Sequence, residues 1–189
     1  MEIAQIYAKL PTLETERLRL RRVSMQDADQ MFAYASDNEV ARYVTWETHS
    51  SIDDSKNFIQ FILFQYAKHD IAPWAIELKE SGRMVGTVDF VWWKPEQQIA
   101  EIGYVLAREC WGQGLMTEAA AALLELGFGR MELERIQARC FSENIGSQRV
   151  MEKIGMSYEG TLRKGIKIKG RHWDIKMYSI LKEEFQARQ

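Results

Sequence analysis

From Arg17 to Val23 charged and apolar residues alternate, with Leu18 and Leu20 on one side, which is the period of a half-buried strand. Ser24, with Asp27 three residues later, opens a helix predicted to run to about Ser36. A second amphipathic helix is predicted from Ile52 to Lys68, carrying Phe58, Ile59, Ile62, Leu63 and Tyr66. The period then shortens. Trp74, Ile76 and Leu78 alternate within Pro73 to Lys79, Glu80-Ser81-Gly82-Arg83 turns the chain, and Val85 to Trp92 is a further strand. Lys94-Pro95-Glu96 breaks it, and Ile99 to Leu106 follows, so three strands meander antiparallel with no crossover helix. Thr117 to about Phe128 is an Ala/Leu-rich helix closed by Gly127 and Gly129. Ile136 to Phe141 reads as a strand, Ile145 to Ile154 as a helix, and Tyr158 to Leu162 with Trp173 to Leu181 as a terminal hairpin.

This order predicts a mixed α/β (α+β) fold with about seven strands and four helices, in one domain over residues 1–189. Hydrophobic residues at 46% and charged residues at 28% suit a globular chain. The net charge of −2 argues against a dedicated nucleic-acid binder. Met1 to Lys9 does not read as a secretory signal, and no apolar run approaches the ~20 residues of a membrane span. Cys110 and Cys140 form no C-x-x-C, and His49, His69 and His172 lack metal-ligand spacing, so neither a metal site nor a disulfide framework is expected. The setting expected is a reducing cytoplasm. Cys140 reads as a small buried apolar residue rather than a nucleophile.

The chemistry concentrates after Leu106. The chain turns through Trp111-Gly112-Gln113-Gly114 and enters a helix. Glycines let backbone N–H groups approach a ligand, and the helix N-terminus adds partial positive charge, so a phosphate or pyrophosphate fits here. Thr117 adds a hydroxyl. A Gly-x-Gly by itself also suits an ordinary strand-to-helix turn. A nucleotide-hydrolase P-loop would need a Gly-Lys-Ser/Thr, and this loop contains no lysine. A dinucleotide fingerprint would need a third Gly or Ala where Thr117 stands, and a parallel βαβ start.

These residues resemble the GNAT superfamily of acyl-CoA N-acyltransferases. Within it they are most similar to the ribosomal-protein N-terminal alanine/serine acetyltransferases. The superfamily's CoA loop falls on Trp111 to Met116, with Gly114 at its fixed glycine; Trp111 and Met116 depart from the superfamily pattern. Trp-Gly-Gln-Gly followed by Thr117-Glu118-Ala119 is the form of the subfamily. Leu13-Glu14-Thr15-Glu16-Arg17-Leu18 resembles its opening strand, and Ala100-Glu101-Ile102-Gly103-Tyr104 the strand before the loop. Asn144, Ser147 and Arg149 through Met156 match its second signature, followed in place by Tyr158-Glu159-Gly160.

The resemblance implies a strongly bent sheet, split where the strand ending at Leu106 parts from the one starting near Ile136. Acetyl-CoA would lie in the split. Backbone groups of Val105 and Leu106 would meet pantetheine and the acetyl carbonyl, and amides of Trp111, Gly112, Gln113, Gly114, Leu115, Met116 and Thr117 would hold the pyrophosphate. Asn144 would cap its helix and touch CoA. Arg149 and Lys153 are candidates for CoA phosphates or plain exposed charges.

The reaction implied is direct attack by an amine on the thioester in a ternary complex. Many superfamily members protonate the leaving thiolate with a tyrosine, but Met151 stands in that place, and the subfamily resemblance points to Ser147 instead. Glu101 is the leading candidate base and Asp89 the second; a subfamily glutamate proposed for that role falls where this chain has Ile166. The acceptor implied is a protein N-terminal α-amine of the ribosomal-protein type. Acetylation of a small amine, such as a polyamine, amino acid or antibiotic, and CoA binding without catalysis are the alternatives. Arg163, Lys164, Lys167, Lys169 and Arg171 are either a docking surface or edge-strand lysines. Trp46, Tyr66, Trp92 and Trp93 are candidates for the acceptor side or for the core. No nucleic acid or membrane partner is expected, and the oligomeric state is open between monomer and homodimer.

Overall fold

The structure, a computed structural model, describes residues 2–188. Eight strands form one sheet: β1 Leu13–Glu14, β2 Leu18–Arg22, β3 Trp74–Leu78, β4 Met84–Lys94, β5 Ile99–Leu106, β6 Arg135–Phe141, β7 Ser157–Ile168 and β8 Arg171–Leu181. Their order is β1-β2-β3-β4-β5-β6-β8-β7. Every neighbouring pair is antiparallel except β5 with β6. The helices are α1 Ile3–Tyr7, α2 Ala28–Ala35, α3 Asn38–Ala41, α4 Ile52–Ala67, α5 Leu115–Phe128, α6 Ile145–Lys153 and α7 Lys182–Gln186.

The predicted elements are present, with eight strands where seven were expected and seven helices where four were expected among the described residues. The additional strand β1 has two residues, and α1, α3 and α7 have four or five each. Elements that short show no measurable hydrophobic period. β7 extends to Ile168, well past Leu162, because its pairing with β8 resumes after an irregularity between Leu162 and Ile166.

Capping chemistry sets the larger helices. Ser24 and Asp27 form a reciprocal capping box ahead of α2, and Ser51 with Asp54 does the same for α4. α2 and α4 pack together over one face of the sheet, where Tyr34 of α2 hydrogen-bonds Thr87 of β4. α5 and α6 lie on the other face. There Gly127 of α5 sits against Ile136 and Phe90.

The feature that positions the site is the partial pairing of β5 with β6. Their ladder runs from Ile99↔Arg135 to Ile102↔Ala138 and stops. β5 continues to Leu106 along β4, and β6 continues to Phe141 along β8, so the two diverge. A bulge at Val91, between the Phe90 and Trp92 pairings, adds local twist to β4 where this begins. Gly103 lies under that bulge; a Cβ there would sit 2.5 Å from Val91 Cγ2 and 3.3 Å from Asp89 Oδ1.

Candidate active site

The divergence of β5 and β6 opens a cleft of about 630 Å³. β5 supplies Gly103 to Leu106, β6 supplies Arg139 to Phe141, and the N-terminal ends of α5 and α6 close one side. Strand alternation decides which backbone groups face inward. Ala107 donates its N–H to Val85, so the hydrogen-bonded pairs along β4 and β5 are Ala107 with Val85 and, two residues back, Val105 with Thr87. The backbone of Val105 is thereby occupied, which corrects the expectation that it would meet the acetyl group; Val105 lines the cleft by its side chain. The backbone groups of Tyr104 and Leu106 point away from β4, into the split. The Leu106 carbonyl is taken by the Trp111 indole N–H at 2.8 Å, leaving its N–H as the donor there.

Helix α5 begins at Leu115, two residues before the expected Thr117, with Gly114 as its N-cap at φ 78°. That left-handed angle is what a glycine permits. The first intrahelical bond is from Glu118 N–H to the Gly114 carbonyl, so the N–H groups of Leu115, Met116 and Thr117 have no acceptor within the helix. They face the cleft rim together with Trp111 and Gly112. Gln113 does not line the cleft; its carbonyl accepts from Arg17 and its amide donates to Glu109, so it shapes the loop. Glu118 ties the loop to the rest of the fold, accepting from Thr15 Oγ1 at 2.5 Å, Arg17 N–H at 2.8 Å and Arg17 Nε at 2.7 Å. Burial opposes ionisation of Glu118, but those hydrogen bonds outweigh it and hold its carboxyl below the usual range.

Asn144 caps α6, its side chain accepting from Ser147 N–H at 3.0 Å. This fixes Ser147 in the first turn, on the cleft wall. Its hydroxyl lies 2.9 Å from the Tyr104 hydroxyl. Tyr104 escaped the sequence reasoning, although strand alternation gives it the same face as Leu106, two residues on. Burial pushes the Tyr104 phenol well above its ordinary value, so it stays protonated at neutral pH. Burial likewise pushes the Cys140 thiol up to about 11, which fits a neutral, non-nucleophilic cysteine. Met151 faces the core rather than the cleft.

The two carboxylate candidates differ sharply. Glu101 is 3% exposed and does not line the cleft. One of its oxygens is 2.9 Å from Arg139 Nε and the other accepts from Gln137 Nε2 at 2.8 Å. Both oxygens are occupied, which corrects the expectation that Glu101 is the base. Asp89 does not line the cleft either; it stands on β4, paired with Gly103 and on the same face as Val105. Burial pushes its carboxyl up to about 7. Ile166 lines the cleft with an apolar side chain where the subfamily glutamate was looked for.

The expected aromatic wall is elsewhere. Tyr66 is buried, bridging the Val23 N–H and the Pro73 carbonyl, and Trp93 is also buried. Trp46 packs on the core, Trp92 lies under Lys94, and none of the four lines the cleft. Tyr43 and Phe141 do line it, and they cluster with Trp173. In the basic hairpin, Lys169 donates to the Ala41 carbonyl, and Arg171 pairs with Glu143 and stacks on Trp173, so these two side chains are engaged within the fold. Arg149 and Lys153 reach the cleft, and Arg149 also pairs with Glu152. Among the described residues, no cluster of His, Cys, Asp and Glu could hold a metal ion, and no helix is long and apolar enough to cross a membrane.

Comparison with known proteins agrees with this geometry. Residues 17–157 match the acetyltransferase (GNAT) domain model. The uncharacterized N-acetyltransferase p20 of Bacillus licheniformis is 36% identical over 176 residues, covering 93% of this chain and 99% of its own. A GNAT-family acetyltransferase from Bacillus anthracis superposes with a TM-score of 0.82 at 34% identity, over 92% of this chain and 99% of that one. RimL, a ribosomal L7/L12 alpha-N-protein acetyltransferase solved in complex with coenzyme A, has a TM-score of 0.80 at 20% identity, over 90% and 98%. The chain belongs to the GNAT acetyltransferase family and is an acetyl-CoA-dependent N-acetyltransferase.

Proposed function

We propose that this chain, working as one domain over residues 1–189 in the cytoplasm, acetylates the N-terminal α-amine of a protein of the ribosomal type. Acetyl-CoA is the donor, and the amine attacks it directly in a ternary complex. The observation that carries the reading is the split between β5 and β6, which brings the Leu106 N–H, the Ser147 hydroxyl and the N-terminus of α5 onto one cleft. A pyrophosphate suits the unaccepted N–H groups of Leu115, Met116 and Thr117, where the helix dipole favours negative charge. Gly112 and Gly114 let the loop backbone come close, and Trp111 flanks the donor from an exposed position. Asn144 supports the opposite wall.

In the chemical step, the Leu106 N–H donates to the thioester oxygen and stabilises the tetrahedral oxyanion. Asp89, behind Gly103 and outside the cleft lining, takes the proton of the attacking ammonium through a water. Its carboxyl at about 7 is matched to that task at neutral pH. As the C–S bond breaks, Ser147 gives its proton to the thiolate and recovers one from solvent, while the Tyr104 hydroxyl, 2.9 Å away and still protonated, stabilises the transient alkoxide. An α-amine with pKa 7.7–8.0 is roughly 10–15% neutral at pH 7, whereas a lysine amine near 10.4 is under ~0.1% neutral. A weak base therefore serves an N-terminus far better than a lysine.

Free-thiol release from acetyl-CoA tests the acceptor. Peptides beginning with serine or alanine are expected to release thiol faster than polyamines, free amino acids or aminoglycosides. Faster release with a small amine would replace the acceptor, and tight CoA binding without release from any acceptor would leave only a binding protein.

A further inference from the structure

Glu39, Arg139, Arg149 and Lys153 are the charged residues that line the cleft, and of these Arg139 stands nearest the end of the β5–β6 ladder. Arg139 stands on β6 at the first position beyond the β5 ladder, beside Gly103 and on the face where the acceptor approaches. Its Nε is 2.9 Å from Glu101 Oε1, and its side chain is nevertheless 48% exposed, while that of Glu101 is 4% exposed. Gln137 holds the second Glu101 oxygen. The buried carboxylate thus works as a bracket that grips the guanidinium by its inner nitrogen. The two outer nitrogens have no hydrogen-bond partner among the described residues, and Arg139 lines the cleft. The outer fork of a guanidinium matches a carboxylate in bidentate geometry.

The surroundings sharpen the selectivity. Phe141, Tyr43 and Ile166 line the same part of the cleft, and an ion pair formed against apolar walls is screened less than one on an open surface. Only the carboxylate of the pair is buried; the half-exposed guanidinium is held by it and keeps its outer edge accessible.

We infer that Arg139 reads a carboxylate on the acceptor, so that the preferred substrate is an amine with an ionised carboxylate close to it. The inference deepens the proposed function and rests on the cleft being the site of acyl transfer. Asp89 on β4 and Arg139 on β6 are two strands apart, so the amine and the carboxylate are separated by up to about 10 Å. The side chain of an aspartate or glutamate at the first or second position of a peptide meets this distance. The α-carboxylate of a free amino acid is the other source of the same chemistry.

The test is thiol release from acetyl-CoA with matched acceptors: Ser-Asp- against Ser-Asn- peptides, Asp- against Asn-initiated peptides, and free serine against serinamide. Wild type is expected to favour the acidic peptide of a pair at least tenfold in kcat/KM. The ratio should fall to near one in Arg139→Gln. Arg139→Lys, which keeps the charge and loses the fork, should fall between. Glu101→Gln should lower the ratio with less effect on kcat, because Glu101 acts only through Arg139. A preference confined to serine over serinamide assigns the carboxylate to a free amino acid and replaces the N-terminal acceptor, while leaving Arg139 as its reader. Equal kcat/KM in all wild-type pairs overturns the inference and leaves the acetyltransferase reading intact. Thiol release from no acceptor overturns both.

Discussion

The proposed mechanism divides the two proton transfers between Ser147 and Asp89, on opposite faces of the sheet, and each can be tested alone. Replacing Ser147 by alanine removes the thiolate's proton donor while the Asn144 cap accepts the same backbone N–H. We expect kcat to fall about 100-fold with little change in the KM for acetyl-CoA, measured by steady-state thiol release. Unchanged turnover would remove Ser147 from the mechanism. For Asp89, ionisation near pH 7 should appear in kcat/KM as a limb that rises through about 7, below the rise due to the α-amine. Asp89→Asn should abolish that limb and lower activity above pH 7. Family resemblance pointed to Ser147, and its spacing from Asn144, within one helical turn, is legible locally. The occupation of Glu101 was not legible, because its partner Arg139 is 38 residues away and becomes a neighbour only through the β5–β6 ladder. Tyr104 was hidden for the same reason: nothing local announces that it will meet Ser147.

Among the elements, α5 and its preceding loop form the proposed donor site, and Glu118 anchors them to Thr15 and Arg17. Glu118→Gln weakens two charge-assisted bonds and should cost about 1–3 kcal/mol of stability. It should also raise the KM for acetyl-CoA several-fold, since the amides of Leu115 to Thr117 are then held less firmly. The sign of the pH effect follows from the lowered carboxyl. Glu118 stabilises the fold above its unfolded value of 4.5, and that contribution is lost as pH falls through its lower folded value. Acidification should therefore lower the melting temperature more steeply in wild type than in Glu118→Gln. The loop was legible because glycine, helix start and Thr117 are adjacent in sequence. The length of β7 was not, because its charged and glycine-interrupted middle, Arg163 to Gly165, gives no period of two; pairing with β8 imposes the strand.

At the scale of the molecule, two halves of a sheet share only a short parallel ladder, and the gap that follows is the proposed donor site. The order of strands and helices predicted this mixed fold, since each long element carries its own period. The place where the ladder ends came from family resemblance, because no local pattern states where two strands stop pairing. A ligand that touches both halves binds only the folded chain. Acetyl-CoA at 100 times its Kd should add about 2.7 kcal/mol to stability. For a chain of this size, that raises the melting temperature by about 5–10 °C.

Transfer of acetyl from acetyl-CoA to a free α-amine is decided by thiol release with one peptide in two forms. Both forms begin with serine and contain one internal lysine, but one is Nα-formylated. Steady release is expected with the free N-terminus and background release with the blocked one. Equal release from both would place the acetyl group on lysine and contradict it.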